Sequence, residues 1–172
     1  MRSQAPFDII GVVEPGIIAT KNALNNSDSK VLVLGTNATI TSKAYETLLE
    51  AHGFNNVIAK ATGLFVPIIE EGLFEGEVLN STIEHYFKDL EHPDGIILGC
   101  THFPLIADAI SEYFDDNVTL IHSGEAIVEY LESHYEFKEK HPDPKIKFFA
   151  SENPEALRKT AQKWLNLPLS SV

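Results

Sequence analysis

The chain has 172 residues, of which 44% are hydrophobic and 22% charged, and this globular composition argues against a disordered, collagen-like or coiled-coil chain. It carries 25 acidic and 13 basic residues, for a formal net charge of -12 at pH 7. Nucleic acid and anionic membranes are therefore poor partners, because both are bound through clustered Lys and Arg side chains.

Short apolar runs alternate with amphipathic segments along the chain, which is typical of a parallel sheet flanked by helices. In chain order, the predicted strands are 9–13, 31–34, 56–59, 95–98, 119–121 and 145–149. The predicted helices are 15–24, 42–52, 66–72, 78–90, 104–114, 125–133 and 154–165. We therefore expect the α/β fold class, with a parallel-sheet domain flanked by helices.

The composition changes after Glu132. Residues 133–147 carry charge and proline in place of apolar periodicity, which indicates an exposed connector. We therefore expect a compact unit over 9–122, followed by a C-terminal connector, strand and helix over 123–172.

The apolar runs are only a few residues long. A bilayer-spanning helix needs about 20 consecutive apolar residues, so no segment is expected to cross a membrane. Residues 1–6, which read Met-Arg-Ser-Gln-Ala-Pro, lack the apolar stretch of a signal peptide. We expect a soluble, cytoplasmic protein.

Three predicted strands end in glycine or small polar residues, where the chain turns toward a helix. Residues 12–16 read Val-Val-Glu-Pro-Gly, residues 34–39 read Leu-Gly-Thr-Asn-Ala-Thr, and residues 98–102 read Leu-Gly-Cys-Thr-His. Ligands of open α/β sheets bind outside the carboxyl ends of the strands, where backbone N–H groups can hold carboxylates or phosphates. Tight turns alone would explain any one segment, but three together favour a binding site.

Cys100 is the most informative single residue. As the one cysteine of the sequence it excludes an internal disulfide and a Cys-rich zinc site. It is predicted to emerge at the end of strand 95–98, just before a helix that begins near Pro104, and helix N-termini and imidazolium groups both favour a thiolate over a thiol. His102 is close enough in sequence to relay a proton. The alternative is a small buried cysteine that packs as a hydrophobe.

Other chemistries are less well supported. A Cys/His hydrolase would need a further residue to orient the pair, and none stands out downstream. Cys100 and His102 supply only two metal ligands, and the other histidines form no spaced cluster, so no metal site is expected. Glu70 and Glu71 end an apolar segment; one of them could orient a histidine, although a solvated helix end is the alternative. Successive helical side chains differ by about 100°, so only one of the two can face a given pocket.

Residues 99–106, which read Gly-Cys-Thr-His-Phe-Pro-Leu-Ile, resemble the second-cysteine motif of the glutamate racemases. Residues 34–40 (Leu-Gly-Thr-Asn-Ala-Thr-Ile), 64–71 (Leu-Phe-Val-Pro-Ile-Ile-Glu-Glu), 11–15 (Gly-Val-Val-Glu-Pro) and 121–124 (Ile-His-Ser-Gly) resemble further motifs of that family, in family order and spacing. The sequences of these motifs are most similar to those of the epsilonproteobacterial members.

The resemblance implies an aspartate/glutamate racemase-like fold and the interconversion of L- and D-glutamate for peptidoglycan synthesis, with two thiols and no cofactor. It implies that Cys100 is the second catalytic thiol, that His102 is its proton partner, and that Glu70 is a carboxylate supporting the histidine. The substrate-binding residues that it implies are Thr36, Thr39 and Thr101.

The sequence departs from the family pattern in one large respect. Family members carry an N-terminal half with an Asp-Ser-Gly loop, a Tyr-Gly pair and an Ala-Cys-Asn-Thr motif with the first cysteine, and none of these occurs here. The resemblance thus implies that 9–122 is the second α/β domain and that 123–172 would pack on the absent first domain. We expect a truncated form, inactive alone, that self-associates as a homodimer or otherwise. The apolar tail residues expected to drive this are Phe148, Phe149, Leu157, Trp164 and Leu165.

Two alternatives stay open. One is a non-catalytic domain that binds an acidic amino acid or acts as an interaction module. The other is an aspartate racemase or a related decarboxylase-like member of the superfamily, because the length of the substrate side chain is read partly by the absent half.

Overall fold

Four parallel strands form the centre of the computed structural model, which describes residues 6–136, 149–155, 157, 158 and 161. The strands of this described part are β1 (Lys30–Gly35), β2 (Asn56–Ala61), β3 (Gly95–Leu98) and β4 (Thr119–His122). They lie in the order β2-β1-β3-β4, and every neighbouring pair is parallel. The predicted α/β fold class with a parallel sheet is confirmed.

Helices cover both faces of this sheet. They are α1 (Val13–Ala23), α2 (Asn37–Thr41), α3 (Ala44–Ala51), α4 (Phe65–Glu70), α5 (Glu77–Phe87), α6 (Ala107–Tyr113) and α7 (Ser123–His134), with a 3-10 helix (Phe103–Ile106) before α6. No helix of the described ranges is both long and apolar enough to cross a membrane.

Two buried clusters lie on opposite sides of the sheet, because successive side chains of a strand point to opposite faces. Leu32 and Leu34 of β1 pack with the side chains of α4, α5 and α6. Val31 and Val33 of the same strand pack on the other face, with the side chains of α1 and α3. A strand buried on both faces reads as a continuous apolar run, which is why β1 was predicted from sequence.

The predicted strand 9–13 is wrong. Residues 8–11 have no regular secondary structure, and Val13 is already the first residue of α1. Ile9 and Ile10 are half-buried and line an open depression together with Tyr130 and Tyr135 of the α7 end. A short apolar run indicates that its residues are buried, but it does not decide whether they form a strand. Here the end of α7 partly buries Ile9 and Ile10, and no strand pairs with them.

This correction removes one of the three predicted binding turns. Glu14, Pro15 and Gly16 lie in the first turns of α1, not beyond the end of a strand. The turns after β1 and β3 remain.

The helix predicted over 42–52 corresponds to α3 alone, and the prediction missed α2, which precedes it. Lys43 has a left-handed backbone with φ of 55°, which separates α3 from the short α2 that precedes it. The predicted helix over 104–114 begins as the 3-10 helix, and α6 takes over at Ala107.

The C-terminal predictions fall only partly on described residues. Of the predicted helix 154–165, the described residues, namely 154, 155, 157, 158 and 161, have helical backbone. The predicted strand 145–149 lies outside the described residues except for Phe149, and so do Phe148, Trp164 and Leu165.

Candidate functional site

The carboxyl ends of β1 and β3 form the edge of the sheet at which a ligand is expected. After β1 the chain moves to one side of that strand to form β2, and β3 then pairs on the other side. A crevice opens at such a reversal of strand order, outside the strand ends. Thr36 directly follows β1, and Cys100 lies two residues beyond the end of β3. The topology therefore brings candidate residues from two separate turns to one edge.

Gly99 allows the turn after β3 to lie directly against β1. Its N–H donates a hydrogen bond to the carbonyl oxygen of Leu34 at 2.8 Å. A Cβ atom at position 99 would lie only 2.7 Å from that same oxygen, so a side chain cannot be accommodated without a shift of the backbone. This close approach places Cys100 beside the end of β1.

The thiol of Cys100 faces an imidazole. Its Sγ lies 3.7 Å from Nδ1 of His102, a distance at which the two groups can share a proton. The chain turns back after β3, where the N–H of Phe103 donates to the Cys100 carbonyl at 3.2 Å and begins the 3-10 helix. Cys100 is a free, half-buried thiol packed against the cluster of α4, α5 and α6.

The second ring nitrogen of His102 faces a carboxylate. Its Nε2 lies 3.5 Å from Oε1 of Glu70, the last residue of α4. The His102 side chain is 35% exposed and that of Glu70 is 64% exposed, so water screens this pair. The three side chains of Cys100, His102 and Glu70 thus form one line of contacts, running from the half-buried thiol to solvent.

Aromatic packing holds α4 in register with the turn after β3. The fully buried rings of Phe65, in α4, and Phe103, in the 3-10 helix, meet edge to face with centroids 5.6 Å apart. Such pairs contribute about 0.5–1.5 kcal/mol beyond the burial of their area. The N–H of Leu64, at the start of α4, donates to the hydroxyl of Tyr86 at 3.1 Å. These contacts set the position of Glu70 relative to His102.

Thr36 and Thr39 are joined in the turn after β1. The Oγ1 atom of Thr36 accepts from the N–H of Thr39 at 3.3 Å and so caps α2, and the two hydroxyl oxygens lie 3.0 Å apart. Both residues are half-buried. Thr101 is exposed between Cys100 and His102. The predicted helix start at Ser42 missed α2, although threonine is a common residue at a helix N-cap.

Two further residues reach the site that were not predicted as site residues, although one of them, Ser123, lies in the motif 121–124. Ser123, the first residue of α7, donates from Oγ to the carbonyl oxygen of Leu98 at 2.9 Å. The hydroxyl of Tyr45 lies 3.5 Å from the same Oγ. Burial raises the pKa of Tyr45 above its ordinary value of 10.0. The sequence signal that could have identified Ser123 is a serine at the point where a strand passes directly into a helix.

The described residues bring together no group of three or more His, Cys, Asp or Glu side chains of the kind that holds a metal ion. The polar side-chain groups described above at this edge are the Cys100 thiol, the His102 imidazole, the Glu70 carboxylate, and the hydroxyls of the threonines, Ser123 and Tyr45. This set suits proton transfer next to a polar ligand.

Comparisons with known proteins agree on one family. The model of the Asp/Glu/hydantoin racemases matches residues 1–131. The glutamate racemase of a Nitratiruptor species is 57% identical over 165 residues, a match that covers 96% of this chain and 65% of that protein.

Two solved structures are similar in fold as well. The glutamate racemase of Campylobacter jejuni has a TM-score of 0.92 and 46% identity, over 98% of this chain and 68% of that chain. The Francisella tularensis glutamate racemase, solved with D-glutamate, has a TM-score of 0.77 and 27% identity, over 96% and 62% of the two chains. The chain therefore spans about two thirds of the length of these relatives.

Proposed function

This chain belongs to the Asp/Glu/hydantoin racemase family, and on that premise we propose that it supplies one of the two catalytic thiols of a cytoplasmic, cofactor-independent glutamate racemase that serves peptidoglycan synthesis. The observation that carries the proposal is the line of contacts from Cys100 through His102 to Glu70. It lies at the carboxyl ends of β1 and β3, where the strand order reverses. In this proposal the second domain of the enzyme comprises the predicted unit 9–122 together with α7, whose Ser123 is bonded to Leu98 at the end of β3. The predicted packing on the first domain applies to the part of 123–172 that follows α7.

The chemistry requires a base that also acts as an acid. Inversion at the α-carbon of glutamate removes a proton from one face and returns one to the opposite face. Cys100 as thiolate takes the proton on its own face, and Cys100 as thiol returns one when the reaction runs in the other direction. His102 Nδ1 exchanges the proton of the thiol between turnovers, and Glu70 stabilises the ring when it is charged.

Glutamate is the proposed substrate. The hydroxyl groups of Thr36, Thr39 and Thr101 offer hydrogen bonds for its carboxylate and amino groups at the same edge as the thiol. The D-glutamate complex of the Francisella tularensis relative supports this choice. The net charge of -12 does not attract an anionic substrate, so local hydrogen bonding must hold it.

One thiol serves only one face of the substrate. The sequence contains one cysteine, so we expect this polypeptide alone to show no racemisation. The test mixes the chain with a separately expressed first domain of the Campylobacter jejuni relative and follows conversion of L- to D-glutamate. Activity in the mixture that Cys100→Ala abolishes supports the proposal. Turnover by the chain alone, abolished by Cys100→Ala, would contradict it.

The alternatives are outcomes of the same assay. An inactive mixture, together with binding of glutamate by the chain in calorimetry, would favour a non-catalytic domain that binds an acidic amino acid. Faster turnover of L-aspartate than of L-glutamate in the mixture would favour an aspartate racemase. The alternative of a non-catalytic binding domain is tested because the sequence has one cysteine and covers only part of its relatives.

Self-association is also part of the proposal. Phe149 is 84% exposed and Leu157 is 37% exposed, so apolar side chains of the C-terminal segment face solvent. We expect sedimentation velocity at micromolar concentration to show a dimer or larger species. A single monomeric boundary would contradict this part.

A further inference from the structure

The peptide unit between Leu98 and Gly99 is tied to its neighbours at both of its polar atoms. Its carbonyl oxygen accepts from Ser123 Oγ at 2.9 Å, and its N–H donates to the carbonyl oxygen of Leu34 at 2.8 Å. The first bond comes from α7 and the second from β1, on opposite sides of β3. Only Gly99 separates this peptide from Cys100, the residue that carries the reactive thiol.

Tyr45 packs beside this peptide, next to Gly99 and Ser123. Its side chain is 3% exposed, and its Cε2 would lie 3.3 Å from a Cβ atom at position 99. Its hydroxyl lies 3.5 Å from Ser123 Oγ and can donate to it, because the serine proton goes to the carbonyl of Leu98. The ring therefore fills the space beside Gly99, and the hydroxyl holds Ser123 against the end of β3.

We propose that Ser123 is a positioning residue for Cys100: its hydroxyl sets the orientation of the Leu98–Gly99 peptide and so holds Sγ within reach of His102 Nδ1. Rotation of that peptide moves Gly99, and through the next peptide it changes the direction of the Cα–Cβ bond of Cys100. The contact between Sγ and Nδ1 is already long at 3.7 Å, so a small shift breaks it. The inference rests on the proposed function, because it concerns the same thiol.

The test measures how fast iodoacetamide alkylates the full chain at pH 7. Cys100 is the one cysteine, so the rate reports on that thiol alone. The thiolate is the nucleophile, and an imidazole that accepts the thiol proton accelerates the reaction. Four proteins form a double-mutant cycle: the unaltered chain, Ser123→Ala, His102→Asn, and both substitutions together.

We expect His102→Asn to slow alkylation about tenfold and Ser123→Ala about fivefold, while the double variant is no slower than His102→Asn alone. This non-additivity follows if Ser123 acts only through the thiol–imidazole contact. Ser123→Thr keeps a hydroxyl and is expected to restore most of the rate.

Ser133→Ala is the matched control. It is the same substitution in the same helix and also removes a hydroxyl that donates to a backbone carbonyl, that of Tyr130 at 2.8 Å, but far along α7 from the site. We expect no change in its alkylation rate. Where Ser123→Ala does not fold, Tyr45→Phe replaces it in the cycle, with an expected slowing of about twofold.

The outcomes separate this inference from the proposed function. The inference alone is overturned if the alkylation rate of the double variant falls by the product of the two single effects of Ser123→Ala and His102→Asn. It is also overturned if Ser123→Ala is alkylated faster and has a lower urea midpoint. Either result means that Ser123 has a merely structural role. An unchanged rate in His102→Asn contradicts the thiol–imidazole pairing of the proposed function, and the inference falls with it. Both results are read from alkylation rates and urea midpoints, and neither depends on a racemase assay.

Discussion

His102 and Glu70, which are 32 positions apart in the sequence, meet through Nε2 and Oε1 at 3.5 Å. The other ring nitrogen of His102 faces Cys100 Sγ at 3.7 Å. In a neutral imidazole the hydrogen bond at one nitrogen decides which nitrogen carries the proton. A carboxylate beside Nε2 favours the form of the ring that carries its proton there, which leaves Nδ1 to take the proton of the thiol.

Glu70→Ala tests this arrangement. We expect alkylation of Cys100 to slow by no more than about fivefold, because exposed charge pairs contribute only about 0.2–1 kcal/mol. Glu71→Ala is the control, since it removes the same charge at the same end of α4 from a side chain turned by about 100°. Equal rates in the two variants would show that general charge, and not contact with His102, is responsible.

Gly99→Ala tests the close approach of β3 to β1. The added Cβ would lie 2.7 Å from the carbonyl oxygen of Leu34, so we expect the free energy of unfolding to fall by about 1–3 kcal/mol. At Gly124, in α7, a Cβ meets no atom within 4 Å. Gly124→Ala is therefore expected to be neutral or to stabilise by up to about 1 kcal/mol. Urea denaturation measures both, and a Gly99→Ala variant as stable as Gly124→Ala would refute the packing argument.

Thr62 and Thr20 are a matched pair of fully buried threonines. The hydroxyl of Thr20 donates to the carbonyl of Gly16 at 2.7 Å, whereas that of Thr62 has no hydrogen-bond partner among the described residues. A buried hydroxyl without a partner costs about 1–3 kcal/mol, and a net hydrogen bond contributes about 1 kcal/mol. Thr62→Val is expected to be neutral or stabilising, and Thr20→Val to destabilise by about 1 kcal/mol. Urea midpoints in the opposite order would contradict the assignment.

The raised pKa of Tyr45 predicts a loss of stability at alkaline pH. Its main cause is burial, and the ordinary value is 10.0. Well below pH 10 the phenol is protonated in both the folded and the unfolded chain. Above that pH the unfolded chain releases the proton while the folded chain keeps it, so the free energy of unfolding falls until the higher folded pKa is reached.

Tyr45→Phe removes this contribution. We expect the variant to have a lower urea midpoint than the unaltered chain at pH 9, because it loses the contact with Ser123, but a smaller fall in midpoint between pH 9 and pH 11. Equal falls in the two proteins would mean that ionisation of Tyr45 plays no part.

Much of the sheet could be predicted from the sequence. The predicted strand 95–98 coincides with β3, and those over 31–34, 56–59 and 119–121 lie within β1, β2 and β4. These strands are apolar runs bounded by turn residues, so burial and conformation give the same signal. At Ile9 and Ile10 the two signals separate, because a helix end buries the run and no strand pairs with it.

By itself the sequence determined the α/β class and the position of a cysteine and a histidine just beyond a buried strand, since both depend on residues that are neighbours in the chain. The family resemblance implied Glu70 as a carboxylate for His102, but the distance between the two, and the bond of Ser123 to the carbonyl of Leu98, were decided only by the tertiary structure. Such contacts join elements that are far apart in sequence. Their distances depend on how α4 and α7 pack beside β3, and local side-chain patterns do not encode that packing.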